Sequence, residues 1–443
     1  KFESHMLNKY IQTNLFSVDR LEQTDELRPT VVSRPAAGTP FGTRTCAWSA
    51  DCTYFAWPIG GGTVKLVPWD NKENKIGASI CSVVCFSVNS EDDRYTERNG
   101  KDPDQLINNN YKENTECRCS RYLEGVDKVW SVAFGSGSTK EGFSLTWKHL
   151  KIDKGLLLAT GHQNGNIKVW DCNTGRLLLM LKDHRDIVKS LEFSPDGSLI
   201  LLSGSRDGTL KFWDLNDDGN MYKSLHANNK WVYDAKWSPN CNLVASVGSD
   251  KSVILWKLKK NFTPLHIHGH YHDVVGCCFS PDSSLLATAS FDTRVIIWDT
   301  STGQSLQEMG HMFPPPRPIF AGGANEFYVR GISFHPQGQM IATINDDGYV
   351  RCWDLEEQNA DPLCIIEHKN ALSVTFSPKG HRISVGDKDG CVRFYQTPAK
   401  ISRLQHLCRM TIRSLVKTQR VDFLHLPFRL KEYLKYHEYL KAK

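Results

Sequence analysis

The sequence predicts an all-β, seven-bladed propeller with a small α-helical module at its C-terminal end. Three periodic signals in register lead to that fold. An aromatic closes each of seven units: Trp69 in VKLVPWD, Trp170 in IKVWD, Trp213 in LKFWD, Trp256 in VILWK, Trp298 in VIIWD, Trp353 in VRCWD and Tyr395 in VRFYQ. The intervals between them are 101, 43, 43, 42, 55 and 42 residues, a blade period interrupted by two insertions. A second aromatic precedes the closing one by 19 to 21 positions at Trp48, Phe193, Trp237, Phe279, Phe334 and Phe376, and Phe134 joins the set with a wider gap. A turn residue stands six positions before the closing aromatic at Asn164, Asp207, Asp250, Asp292, Asp347 and Asp389.

Within each unit, apolar runs such as SLILLSGS and TLKFWD are separated by Gly/Asp turns, the pattern of antiparallel strands joined by tight connections. One such sheet cannot bury both faces alone, so the units stack radially and close a ring. In chain order, residues 1–42 form an N-terminal extension and residues 43–398 the propeller. Outer strands lie between consecutive units, as in LLLMLKDH and PLCIIEH, but after Tyr395 the chain turns to TPAKISR and offers no seventh. The extension, within Thr13–Ser33, is therefore expected to supply that strand and clasp the ring. The insertion at about 71–127 is polar and repetitive, which predicts a disordered segment or a partner loop. The insertion MFPPPRPIFAGG at 312–323 predicts an extended polyproline stretch. It either bridges two strands or displays Phe313, Arg317 and Phe320 beside the ring. Residues 401–440 form the helical module.

The chain of 443 residues is 40% apolar and 23% charged, the composition of a globular protein. No run of about 18 apolar residues is present, so no membrane span is expected. The first residues lack the apolar core of a secretory signal. Fourteen cysteines accompany this, several inside apolar strands (Cys277, Cys278, Cys352, Cys391), which predicts free thiols in a reducing interior. An intracellular location, cytoplasm and/or nucleus, is expected. The net charge of +5 hides an asymmetry: from Ile401 onward ten Lys/Arg face three Asp/Glu, a local +7, leaving about −2 for the rest. Any argument from basic charge concerns the tail.

Some residues look chemical. His184, Ser205, Asp207 and Trp213 form one apparent set, and His270, Ser290, Asp292 and Trp298 another. One set per blade argues for a scaffold network and against a hydrolytic triad, and no G-x-S-x-G elbow or P-loop occurs. HIHGHYH places His266, His268, His270 and His272 at alternate positions, where one face of a strand could hold zinc or copper. The competing reading makes His270 a structural histidine of its blade. Cys81, Cys85, Cys117 and Cys119 have weak zinc spacing. No catalytic residue, metal or cofactor is expected.

The tail begins SRLQHLCRMTI. Leu404, Cys408 and Ile412 fall at i, i+4 and i+8, with Leu407 and Leu415 widening the stripe, while Arg403, Arg409, Arg413 and Lys417 lie outside it. This predicts an amphipathic helix. FLHLPFRLKEYLKYHEYL then breaks at Pro427 and resumes with Leu430, Tyr433, Leu434 and Tyr436 at helical spacings. Three readings stand: helices packed on their own propeller, a basic surface with interleaved tyrosines for nucleic acid, or apolar anchors that enter a partner's groove.

The blade markers resemble the WD-repeat family over about Thr43 to Thr397, and five units keep the Trp-Asp pair itself (Trp69, Trp170, Trp213, Trp298, Trp353). The Leu-x3-Cys-x3-Ile stretch resembles the elongin-binding box that opens a SOCS box, the suppressor-of-cytokine-signalling module, and LPFRLKEYLKY resembles its cullin-selecting half. Together with TVKLVPW, LLLATG, DLNDDGNM, FPPPRPIFAGGAN and LQHLCRM, the chain is similar to the WD-repeat and SOCS-box-containing proteins. The proline-rich insertion points to the first of that family's two paralogue types.

The resemblance implies a non-catalytic substrate-recognition subunit of a cullin-RING ubiquitin ligase. Leu404, Leu407, Cys408 and Ile412 would contact elongin C, itself bound to elongin B. Leu426, Pro427, Leu430 and Tyr433 would contact a cullin, expected to be of the fifth type, which carries the RING subunit. The propeller would hold an unidentified protein substrate for ubiquitination by proximity and proteasomal degradation, with no nucleic acid or membrane involved. Two positions depart from the family: Arg403 replaces a small residue or Pro, and Arg429 stands where a second Pro is usual. The alternative is a non-ligase WD-repeat scaffold whose basic tail binds RNA or acidic protein partners.

Overall fold

Middle strands of the blades read LLLATGH, LLATAS and MIATIN, near-continuous runs of apolar and small hydroxyl residues, because neighbouring blades cover both of their faces. Every residue of these strands is buried. Outer strands such as Asn220–His226 are mostly exposed and carry polar side chains. The computed structural model of the chain describes residues 23–28, 42, 44–60, 62–70, 75–76, 85–86, 128–136, 155–227, 230–310, 328–355, 362–398 and 402–436. These form a seven-bladed β-propeller of antiparallel sheets followed by three short helices. No helix among the described residues is long and apolar enough to cross a membrane.

In blades two to six the four strands are consecutive in the chain. Blade one has only short outer pieces: Lys75–Ile76 pairs with the end of Thr63–Asp70, and Cys85–Phe86 with its beginning. The outer strand of blade seven is Gln23–Leu27, antiparallel to Val392–Gln396. Thr24 Oγ1 donates to Phe394 O at 3.1 Å and Arg393 Nε to Glu26 Oε1 at 3.0 Å. Leu27 packs on the seam between blades seven and one, where Trp48, Phe55, Trp57, Trp69 and Phe394 cluster. Cys81, Cys117, Cys119, Phe313, Arg317 and Phe320, with most of both insertions, lie outside the described residues.

The closing tryptophans organise the blade interiors. Trp170, Trp213, Trp256, Trp298 and Trp353 each donate Nε1–H to a hydroxyl ten residues earlier: Thr160, Ser203, Ser246, Thr288 and Thr343. The hydroxyls in the two histidine networks are thus Ser203 and Thr288, correcting the expected Ser205 and Ser290. The reason is pleat geometry. Ser203 and Ser205 share a face, but Ser205 is two residues further on, at the strand's end. There it donates to Asp186 O at 2.9 Å and accepts from the Asp207 N–H at 3.1 Å. His184 Nε2 meets Ser203 Oγ at 2.7 Å and Nδ1 meets Asp207 Oδ2 at 2.8 Å. His270 repeats this with Thr288 and Asp292, so its ring is turned inward while His266, His268 and His272 are exposed.

Asp207 also accepts from the N–H groups of Arg185 and Thr209 and from Thr209 Oγ1. Burial opposes its ionisation, but His184 and these donors hold the carboxyl well below its ordinary value. A depressed carboxylate stabilises the fold fully above its unfolded value near 3.8 and loses that contribution as pH falls through the folded value. Asp207→Asn is therefore expected to cost about 1.5–3 kcal/mol at pH 7. The deficit should shrink below about pH 4, as read by urea titrations of both proteins across that range.

Candidate partner-docking site on the C-terminal helices

Straight-chain and branched helix formers in LQHLCRMTIRSL build α1, Leu404–Leu415, which stops where Val416 turns extended. A single turn, α2, spans Thr418–Val421, and α3 spans Phe428–Leu434. Pro427 stands just before α3, where its missing N–H deprives the helix of nothing.

A helix that stabilised only its own domain would bury its apolar stripe. Here α1 is inverted. Leu404, Leu407 and Leu415 are 76%, 45% and 82% exposed, and the Cys408 thiol is free and exposed. His406, Arg409 and Arg413, spaced i, i+3 and i+7, are the buried residues of the helix. Ile412, at the edge of the stripe, is half-buried.

The inward face is seated by polar contacts to the turns of blades five and six. His406 Nε2 contacts Gln337 O at 3.1 Å and Ser402 Oγ donates to Gln339 Oε1 at 2.6 Å. Met410 lies over Gly338, where an added Cβ would approach its Cε to 2.6 Å and φ is +75°. Arg413 donates to Thr418 Oγ1 at 2.6 Å, and Thr418 to Asp299 Oδ2 at 2.7 Å. The Arg409 guanidinium lies 4.2 and 4.3 Å from the ring centres of Tyr433 and Tyr436, which ties α1 to the α3 end. Tyr436, just past α3, adopts a left-handed φ of 59° and is 2% exposed. Its hydroxyl donates to Asp282 Oδ2 at 3.0 Å.

The structure thus brings Leu404, Leu407 and Cys408 together on one open surface, with Ile412 at its margin. Of the second group, Pro427 is exposed, Leu430 is 42% exposed and Leu426 half-buried. Tyr433 is half-buried, with Arg409 over its ring. Phe423 and Phe428, 82% and 72% exposed, extend the apolar surface and were not singled out by spacing. Nor were His406, Arg409 and Arg413 as seating residues, although their 3-and-4 spacing was the available signal. Exposed apolar surface on this scale marks a site of protein interaction.

A SOCS box family model matches residues 400–435, and a WD domain, G-beta repeat model matches 175–214, 219–257, 262–299, 318–354 and 361–396. Four of these matches run from one blade's outer strand through the third strand of the next, while 318–354 begins past the outer strand Ser305–Gly310. WD repeat and SOCS box-containing protein 1 of Danio rerio is 45% identical over 401 residues, covering 89% of this chain and 91% of that protein. The Homo sapiens protein of the same name is 44% identical over 397 residues, 88% and 90% of the two chains. Nuclear distribution protein PAC1-1 of Uncinocarpus reesii is 26% identical over 312 residues, 60% and 69%.

Proposed function

Because the chain belongs to the family of WD-repeat and SOCS-box-containing proteins, whose two modules are those of a SOCS-box substrate adaptor, we propose that it is the substrate-recognition subunit of an elongin B/C–cullin–RING ubiquitin ligase. The observation that carries this reading is the inverted helix: α1 uses its polar face to sit on the propeller and leaves Leu404, Leu407 and Cys408 open for elongin C. Ile412 completes that contact from the margin. Leu426, Pro427, Leu430 and Tyr433 form the cullin-facing half, with Phe428 beside them. The cullin is of the fifth type and brings the RING subunit.

In this role the protein forms and breaks no bond. It holds a substrate on the ring while a conjugating enzyme is held by the cullin, which replaces a bimolecular encounter by a high local concentration. Ubiquitination of that substrate directs it to the proteasome. The rival reading, a basic tail for RNA or acidic proteins, draws on arginines of which Arg409 and Arg413 are buried inside the module.

Purified elongin B/C is expected to co-elute with the full chain and not with a chain ended after Thr397. Undiminished capture by the shortened chain would remove the reading. Salt response separates the rival: an apolar anchor is insensitive to ionic strength, whereas phosphate binding weakens steeply.

A further inference from the structure

The helices occupy one face of the ring, on the turns between first and second strands of blades five and six. The opposite face holds the turns between second and third strands and the loops that lead into first strands. In six blades the pairing of the first strand with the second shifts across the first strand's second residue, between Val129/Ser131, Val188/Ser190, Val232/Asp234, Val274/Gly276, Val329/Gly331 and Ala371/Ser373. Such bulges re-aim the extra side chain. The six residues concerned, Trp130, Lys189, Tyr233, Val275, Arg330 and Leu372, all line the central channel, a cavity of about 540 Å³.

Charge is uneven around this rim. Arg330 is paired with Asp346 at 2.6 Å, and Tyr233 donates its hydroxyl to Asp273 at 3.3 Å. The other arc is cationic. The Arg44 guanidinium lies 4.1 Å from the Trp130 ring centre, Lys189 Nζ lies 4.7 Å from Trp130 and 5.0 Å from Tyr233, and Arg206 lies 3.7 Å from Trp231. Among the described residues none of these three cations forms an ion pair. The carboxylate that acts on Lys189 is Asp186, whose Oδ1 already accepts the Ile187 N–H at 2.7 Å. Burial first, then Arg44 and Arg206, push the Lys189 ammonium down to about 8 in spite of Asp186. Like charges held on aromatic faces, with no counter-ion among the described residues, leave the arc electropositive and complementary to an anion.

We propose that the arc of Arg44, Lys189 and Arg206, mounted on Trp130, Tyr233 and Trp231, receives a short acidic segment of a protein. Its Asp/Glu carboxylates meet the three cations, and its apolar side chains lie on Trp231, 41% exposed, and over the channel mouth. Only the naming of that protein as a ubiquitination substrate rests on the adaptor reading above. Nucleic acid fits less well, because a phosphate backbone needs a long positive track with open stacking faces. Here Asp273 and Asp346 interrupt the rim, and cations already cover faces of Trp130 and Tyr233.

The test uses the full chain with three labelled probes: a peptide of alternating Glu and Phe, its Lys-for-Glu counterpart, and a single-stranded RNA of the same charge as the Glu peptide. Fluorescence anisotropy is expected to show salt-sensitive binding of the Glu peptide alone. Arg44→Gln, Lys189→Gln and Arg206→Gln should each weaken it about tenfold, the loss of one charge-assisted contact. Lys189→Arg should retain it. Cooperative urea unfolding of the three Gln variants checks that the ring stays folded when a cation is taken off its aromatic face. The proposal is overturned if the folded Gln variants bind the Glu peptide as the parent does. It is equally overturned if the Lys peptide binds as well, or if RNA binds more tightly through the same residues. Elongin B/C capture by the same samples separates the two readings. Its loss with peptide binding intact removes the adaptor reading alone, and the reverse outcome removes this one.

Discussion

A chain carrying both Leu404→Ala and Cys408→Ala is expected to lose elongin C while its own unfolding midpoint stays where it was. The two halves of that result have one cause. Leu404 is 76% exposed and Cys408 is exposed, so truncating them removes almost no contact from the free protein. In the complex each anchor would be desolvated, and a Leu-sized group is worth about 1.5–3 kcal/mol when fully buried. Losing two anchors weakens capture well over tenfold. Arg409→Ala provides the opposite pattern. It cuts the stacking on Tyr433 and Tyr436 and opens a cavity at a residue 2% exposed, so it should loosen the helices by about 1–3 kcal/mol. Hydrogen exchange across 404–436 reads that loosening directly. If instead the Leu404/Cys408 pair destabilises the chain and Arg409→Ala does not, the helix faces the other way and the docking surface has been misassigned.

Removal of residues 1–28 is expected to open the ring. Four residue pairs of ladder between Gln23–Leu27 and Val392–Gln396 disappear, with the Thr24 and Glu26 contacts and the cover that Leu27 gives the aromatic seam. At about 1 kcal/mol per hydrogen bond plus partial burial of one leucine, the loss is on the order of 4–6 kcal/mol. That is a large share of the 5–15 kcal/mol typical of a whole domain. It also leaves an unpaired edge beside Phe394, the kind of edge that associates with other chains. Urea unfolding should shift to lower midpoint, and gel filtration should show oligomers. A truncated protein that unfolds at the parent's midpoint as a monomer would mean that the ring closes without this strand.

Much of this architecture is legible in the sequence, for a definable reason. The closing tryptophans, the aromatics 19 to 21 residues earlier and the Asp/Asn six residues earlier are each fixed by local chain geometry, and so they recur with the blade period. The partner hydroxyl of each tryptophan is as regular, ten residues earlier, yet choosing Ser203 over Ser205 needs the strand register. The clasp is different. Gln-Thr-Asp-Glu-Leu shows no strand pattern of its own and becomes a strand because the open edge of Val392–Gln396 offers it a ladder.

From the sequence alone came the count of blades, the place of the two insertions, and an amphipathic helix whose apolar stripe contains Leu404, Cys408 and Ile412. Periodicity gives a helix two unlike faces but does not say which one meets the protein. Tertiary structure decided that, because Gln337, Gln339 and Asp299, distant in the chain, converge as polar partners for the seat that Ser402, His406 and Thr418 form and leave the leucines outside. The cationic arc arose the same way. Arg44, Lys189 and Arg206 become neighbours only when blades fold and the ring closes, which no local signal records.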